Sequence, residues 1–124
     1  MQYMLMIHSD ESGWEKLTEE EIGKFMVAYG EVTQAMMEAG VMVGANRLKE
    51  SATATTVRVR DGELLTTDGP FAELKEQFGG YYMIDVPDLD AAISWARRIP
   101  GAAYGAVEVR PVYVEEGENE CPGS

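Results

Sequence analysis

The strand-like segments of this 124-residue chain are apolar on both faces, and the chain carries helix enough to cover only one of them. In the opening segment Tyr3, Leu5 and Ile7 alternate with Met4, Met6 and His8. Tyr82 and Ile84 alternate in the same way with Tyr81 and Met83. Successive side chains of a strand point to opposite faces, so each of these segments offers a greasy surface on both sides. Only two long segments have helical spacing, and two helices cover one face of a sheet. The other face needs a cover of its own. Closed two-fold pairing is the commonest oligomer, so a homodimer is expected.

The order of elements follows from local signals. Ser9 to Leu17 is a polar loop holding Trp14. Thr18 followed by Glu21 is a capping box. The stripe Ile22, Phe25, Met26, Tyr29, Val32, Thr33, Met36 and Ala39 predicts a helix of about five turns that ends at Gly40. Extended stretches follow at Val41–Ala45 and Thr53–Arg60, the latter joined through Asp61-Gly62 to Glu63–Thr67, a short hairpin signal. Asp68-Gly69-Pro70-Phe71 reads as the start of a short helix, with Asp as cap, Pro early and Gly79 as stop. Tyr81–Val86 is a strand. Pro87-Asp88 opens a second long helix with Leu89, Ala92, Ile93 and Ala96 inward, and Ala106–Val112 is the last strand.

These elements make an α+β domain, a ferredoxin-like βαββαβ antiparallel sheet with a hairpin insertion. One domain is expected over residues 1–114. Residues 115–124 read as an acidic, disordered tail.

Acidic residues outnumber basic ones 22 to 10, a net charge of −12. Binding nucleic acid requires cations that displace counterions from phosphates, so nucleic acid is not an expected partner, nor is an anionic membrane surface. No apolar run reaches the roughly 20 residues of a membrane helix, and the first residues lack the basic n-region of a secretory signal. Cys121 is the only cysteine, which leaves no intrachain disulfide and suits a reducing cytoplasm. There is no phosphate-loop motif and no dinucleotide fingerprint, and a single histidine makes a zinc site an unfavoured reading. No cofactor and no metal are expected.

Several segments together resemble a known family. They are Val57-Arg58-Val59-Arg60-Asp61-Gly62, Thr67-Asp68-Gly69-Pro70-Phe71-Ala72-Glu73, Lys75-Glu76-Gln77-Phe78-Gly79-Gly80-Tyr81-Tyr82 and Val107-Glu108-Val109-Arg110-Pro111. With the opening Tyr3–Ile7 and the Ala52–Thr56 stretch, they resemble the DGPF domain family of the YCII-related proteins over nearly the whole chain. The resemblance implies a dimeric α/β barrel of ferredoxin-like topology. It also implies a His–Asp pair of the kind assigned to the wider YCII group, some distant members of which process chlorinated aromatic breakdown products. Encoding of DGPF proteins beside alternative sigma factors implies a sensing role instead. His8 stands where members of the DGPF group often carry Tyr, so an imidazole base is not implied for the group as a whole.

The candidate site follows from both readings. His8, the only histidine, lies at the end of the first strand on the Met4–Met6 side, where an imidazole can act as general acid or base. Asp68 is its candidate carboxylate partner in a catalytic pair, and is equally a plain helix cap. Glu73 and Glu76 share a face of the expected short helix, as acid/base carboxylates or as a solvated surface. Glu108 and Arg110 share a face of the last strand, with Arg110 free to bind a substrate carboxylate or to join a fixed network. Tyr81 joins Glu73, Glu76 and Arg110 as a candidate substrate-binding residue. Three readings remain open: proton transfer on a small acidic or aromatic metabolite, a non-catalytic ligand-binding or regulatory module associated with a sigma factor, or a purely structural dimer with no small-molecule site.

Overall fold

A computed structural model describes residues 1–114 of the chain, and the expected acidic tail lies outside the described residues. Strand β1 spans Gln2–Ser9, helix α1 Glu19–Glu38 and strand β2 Met42–Arg47. Strands β3 (Thr55–Arg60) and β4 (Glu63–Asp68) form the hairpin, followed by β5 (Gln77–Asp85). Helices α2 (Leu89–Ala96) and α3 (Gly101–Tyr104) precede the last strand β6 (Ala106–Pro111). The main sheet has the order β2-β5-β1-β6 and every pairing in it is antiparallel. Its first and third strands in chain order are central, an arrangement compatible with a ferredoxin-like fold.

Helix α1 forms where its caps place it. Thr18 Oγ1 accepts from the Glu21 N–H at 3.1 Å and Glu21 Oε1 accepts from the Thr18 N–H at 3.0 Å, closing the capping box. At the other end Gly40 takes φ +72, and Val41 and Gly40 donate to the carbonyls of Met36 and Met37. That is a Schellman stop, and a left-handed residue there suits glycine.

The core lies between one sheet face and the helices. Tyr3 and Leu5 of β1, Tyr82 and Ile84 of β5, Val32 and Met36 of α1, and Ala92 and Ala96 of α2 are buried together with Val86 and Ile99. Both helices therefore sit on the Tyr3–Leu5 side. The inward face of α2 is rotated from the one expected. Ala92, Trp95, Ala96 and Ile99 point to the core, while Leu89 and Ile93 stand 48% and 47% exposed. Spacings of three, four and seven residues define that stripe as well as the expected one, and contact with the sheet selects between them.

The hairpin turn is as the sequence reads: Asp61 (φ 53) and Gly62 (φ 77) both take positive φ, the backbone of a type I′ turn. Among the described residues, however, strands β3 and β4 pair only with each other and make a separate ribbon. Its register puts Val57, Val59 and Leu64 on one face, each more than half exposed.

The short helix expected after Asp68 does not form. Gly69, at φ +99, donates to the Ala54 carbonyl at 2.7 Å and its own carbonyl accepts from Thr56 Oγ1 at 2.8 Å. Those bonds tie the segment to β3 instead of to a helical turn. Residues 69–76 are a bent loop, and Gly79 lies inside β5 rather than ending a helix. The β1–β5 register shifts between Ile7 and His8, which pair with Gly80 and Phe78, so Gly79 is the extra residue of a bulge. No helix among the described residues is long and apolar enough to cross a membrane.

Candidate functional site

The sheet face turned away from the helices carries the histidine. Across β1 and β5, Met4 lies opposite Met83 and Met6 opposite Tyr81, while across β1 and β6, Met4 lies opposite Arg110 and Met6 opposite Glu108. His8 is paired with Ala106, which makes Glu108 its diagonal neighbour on the same face, within reach of a long side chain. The result is a row of three groups. His8 Nε2 is 3.4 Å from Glu108 Oε1, and Glu108 Oε2 accepts from Arg110 Nη2. The Phe78 ring packs 5.5 Å from the imidazole, centroid to centroid. His8 Nε2 is itself buried and makes no hydrogen bond among the described residues.

The Arg110 hydrogen bond, and secondarily its charge and that of His8, holds the Glu108 carboxyl below the ordinary glutamate range. A carboxylate depressed in the folded state contributes stability that is present above its ordinary pKa and is lost as pH falls through the folded value. Arg110→Met is therefore expected to return Glu108 toward its ordinary 4.5, read from the pH dependence of the Glu108 carboxyl carbon shift. An unchanged midpoint would mean that Arg110 does not hold the charge.

The remaining candidates are dispersed. Asp68 ends β4 in the separate ribbon and, with Glu73, borders a shallow pocket of about 460 Å³. Among the described residues the ion pair of His8 is with Glu108, and none joins His8 to Asp68. The carboxylate at the histidine is thus a strand residue two places from Arg110, not the Asp of the Asp-Gly-Pro-Phe run. Glu76 is half-buried in the loop before β5, and without a helix it shares no helical face with Glu73. Tyr81 accepts from Asn46 Nδ2 at 2.9 Å across β2 and β5. The Glu108–Arg110 pair was legible from strand alternation. Its union with His8 required knowing that the first and last strands are neighbours. Among the described residues no group of three or more His, Cys, Asp or Glu side chains gathers as metal ligands would.

A larger cleft, about 1070 Å³, opens on the helix side of the sheet between α1, the turn Glu11–Lys16 and the chain after β2. Ile7, Trp14, Met26, Tyr29 and Tyr82 line it, with Arg47 and Lys49 among its polar residues. Reading by motif passed over both cations, whose only signal is their place at the end of a strand in an acidic chain. Thr33 Oγ1 donates to the Tyr29 carbonyl at 2.8 Å and lies 2.8 Å from the Tyr82 hydroxyl. A hydroxyl has one proton, so Tyr82 must donate to Thr33.

Burial pushes the Tyr29 and Tyr82 phenols above their ordinary range. The fold favours their neutral form, so their contribution is complete below the ordinary tyrosine pKa and is lost as pH rises through the folded values. Unfolding free energy should fall above pH 10.0, and Tyr82→Phe should flatten that fall in urea titrations on either side of this pH. Equal slopes for both proteins would contradict the assignment.

Comparison with known proteins gives concordant results. A family model described as YCII-related domain matches residues 1–116. An uncharacterized protein of Rhizobium meliloti (strain 1021) is 38% identical over 114 residues, which cover 90% of this chain and 92% of that protein.

Proposed function

The chain belongs to the YCII-related domain family, and from that premise we propose that it is a homodimer whose shared sheet face carries an acid/base site for a small acidic or aromatic metabolite. In this reading His8 moves the proton. Glu108, 3.4 Å from Nε2, stabilises the imidazolium by its charge, and Nδ1 is the nitrogen that exchanges the proton with the substrate, the division of labour of a carboxylate–imidazole couple. Arg110 keeps Glu108 ionised and offers its remaining N–H groups to a substrate carboxylate. The observation that carries the reading is the buried His8 Nε2 set 3.4 Å from a carboxylate whose charge is maintained by an arginine. A structural histidine at a strand end has no need of such a row.

The dimer is supported by two features. The His8 face bears Met4, Met6, Tyr81 and Met83, and no helix among the described residues covers it. The β3–β4 ribbon has an apolar face of its own, and an isolated two-stranded hairpin is marginal in water. The same ribbon face favours a second reading, a non-catalytic module that docks a regulatory protein such as a sigma factor.

One screen separates the two. Small aromatic and aliphatic acids are incubated with the protein in deuterated water, and deuterium uptake or isomerisation is followed by mass spectrometry. His8→Ala should lower turnover about a hundredfold or more, and Glu108→Gln by a smaller factor. Equal rates in wild type and His8→Ala would remove the acid/base reading. Ligand-induced thermal stabilisation with no product at any acid tested would favour the module.

A further inference from the structure

We infer that the helix-side cleft is a second site, independent of His8, built to bind a small aromatic carboxylate.

Its walls are rings already held in place. Phe25 packs 5.2 Å from the Trp14 ring, 5.8 Å from Tyr29 and 4.9 Å from Tyr104, so Trp14 and Tyr29 are braced from behind. Preorganised aromatic surface binds a flat apolar body with little ordering cost. At about 1070 Å³ the cleft admits a molecule of that class together with water.

Two cations, Arg47 and Lys49, line it beside four carboxylates, Asp10, Glu11, Glu15 and Glu50, so an anion is drawn to these two side chains and not to the lining as a whole. Arg47 lies with its guanidinium 5.8 Å over the Trp14 ring, which directs a cation to the edge of the aromatic wall, and Lys49 follows two residues later. Of the four acids, Asp10 and Glu11 are already hydrogen-bonded within the fold, while Glu15 and Glu50 form no ion pair with either cation among the described residues. Glu11 accepts from the Ser51 N–H and hydroxyl at 2.7 and 2.6 Å, and Asp10 accepts from the Ser12 N–H and hydroxyl at 3.0 and 2.6 Å. Among the described residues neither Arg47 nor Lys49 makes an ion pair with a carboxylate. Arg47 Nη1 donates to Met26 Sδ over a long 3.9 Å, and its other guanidinium N–H groups can meet a ligand carboxylate.

Its chemistry is binding rather than proton transfer. The Tyr82 hydroxyl proton is given to Thr33, and the cleft lies on the Ile7 side of β1, across the sheet from His8. The site does not rest on the acid/base reading, and either can fail alone.

The test is isothermal titration calorimetry of the full chain with naphthoate as probe and naphthylmethanol as its uncharged counterpart. Naphthoate should bind about tenfold or more tightly than the alcohol, and Arg47→Met should remove most of that difference while leaving the alcohol unaffected. Lys49→Met should remove a smaller part. Trp14→Ala should weaken both probes and Trp14→Phe should restore them, whereas His8→Ala should change neither. Equal affinity for acid and alcohol, or no effect of Arg47→Met, would overturn the assignment. So would loss of naphthoate binding in His8→Ala, which would place the probe on the other face.

Discussion

Met83→Glu is expected to leave the domain folded and to yield single chains of 13.7 kDa in place of the proposed dimer. Met83 sits on the face away from the helices, between Met4 of β1 and Gly44 of β2, with no cation directly opposite it in the register. In one chain the residue is only half-buried, so the new carboxylate stays hydrated and the fold is preserved. In a dimer closed over this face, each copy would bury an unpaired charge, and two-fold symmetry would double the penalty. A cost of about 3 kcal/mol or more corresponds to a hundredfold or greater weakening of association. Met83→Leu keeps volume and polarity and should leave the proposed dimer intact. The comparison is read by analytical ultracentrifugation, with far-ultraviolet circular dichroism to verify the fold. If the Glu variant remains paired as tightly as the Leu variant, this face is not the interface.

Gly105→Ala is expected to cost about 3 kcal/mol or more of stability, among the largest effects of any single methyl group in the chain. Gly105 joins α3 to β6 with a negative φ of −147, outside the left-handed region, and the expected cost is one of contact. An ideal Cβ there would sit 2.1 Å from the His8 carbonyl oxygen and 3.0 Å from Ser9 Cα. Those are backbone atoms of a central strand, held on both sides by β5 and β6, and they cannot swing aside as a side-chain tip can. Any relief moves the end of β1 and carries His8 with it. Urea unfolding measures the loss, and Gly13→Ala is the control, because nothing lies within 4 Å of its Cβ. Equal midpoints for the two variants would show that the close approach is not enforced.

What could be read from the residues was local or alternating. The Thr18–Glu21 box, the α1 stripe, the Gly40 stop and the Asp61-Gly62 turn each depend on neighbours a few positions away, and all are present. Strand alternation likewise placed His8 beside Met4 and Met6 and put Glu108 with Arg110. The departures are matters of competition between distant groups. Gly69 is drawn to Ala54 and Thr56, so the expected helix gives way to a loop. Contact with the sheet rotates α2 toward Trp95 and Ile99, leaving Leu89 and Ile93 in solvent. The partner of His8 depended on which strand lies beside β1, and a diagonal neighbour on β6 prevails over an aspartate on a ribbon outside the main sheet. Arg47 and Lys49 belong to no motif, and only the fold shows that they line a cleft with Trp14 and Tyr29.

Sedimentation equilibrium of the unaltered chain over a wide concentration range tests the central claim most directly. A particle of twice the 13.7 kDa chain mass, persisting at micromolar dilution, is the expected result. A single-chain mass at every concentration would contradict a shared His8 face and the site proposed on it.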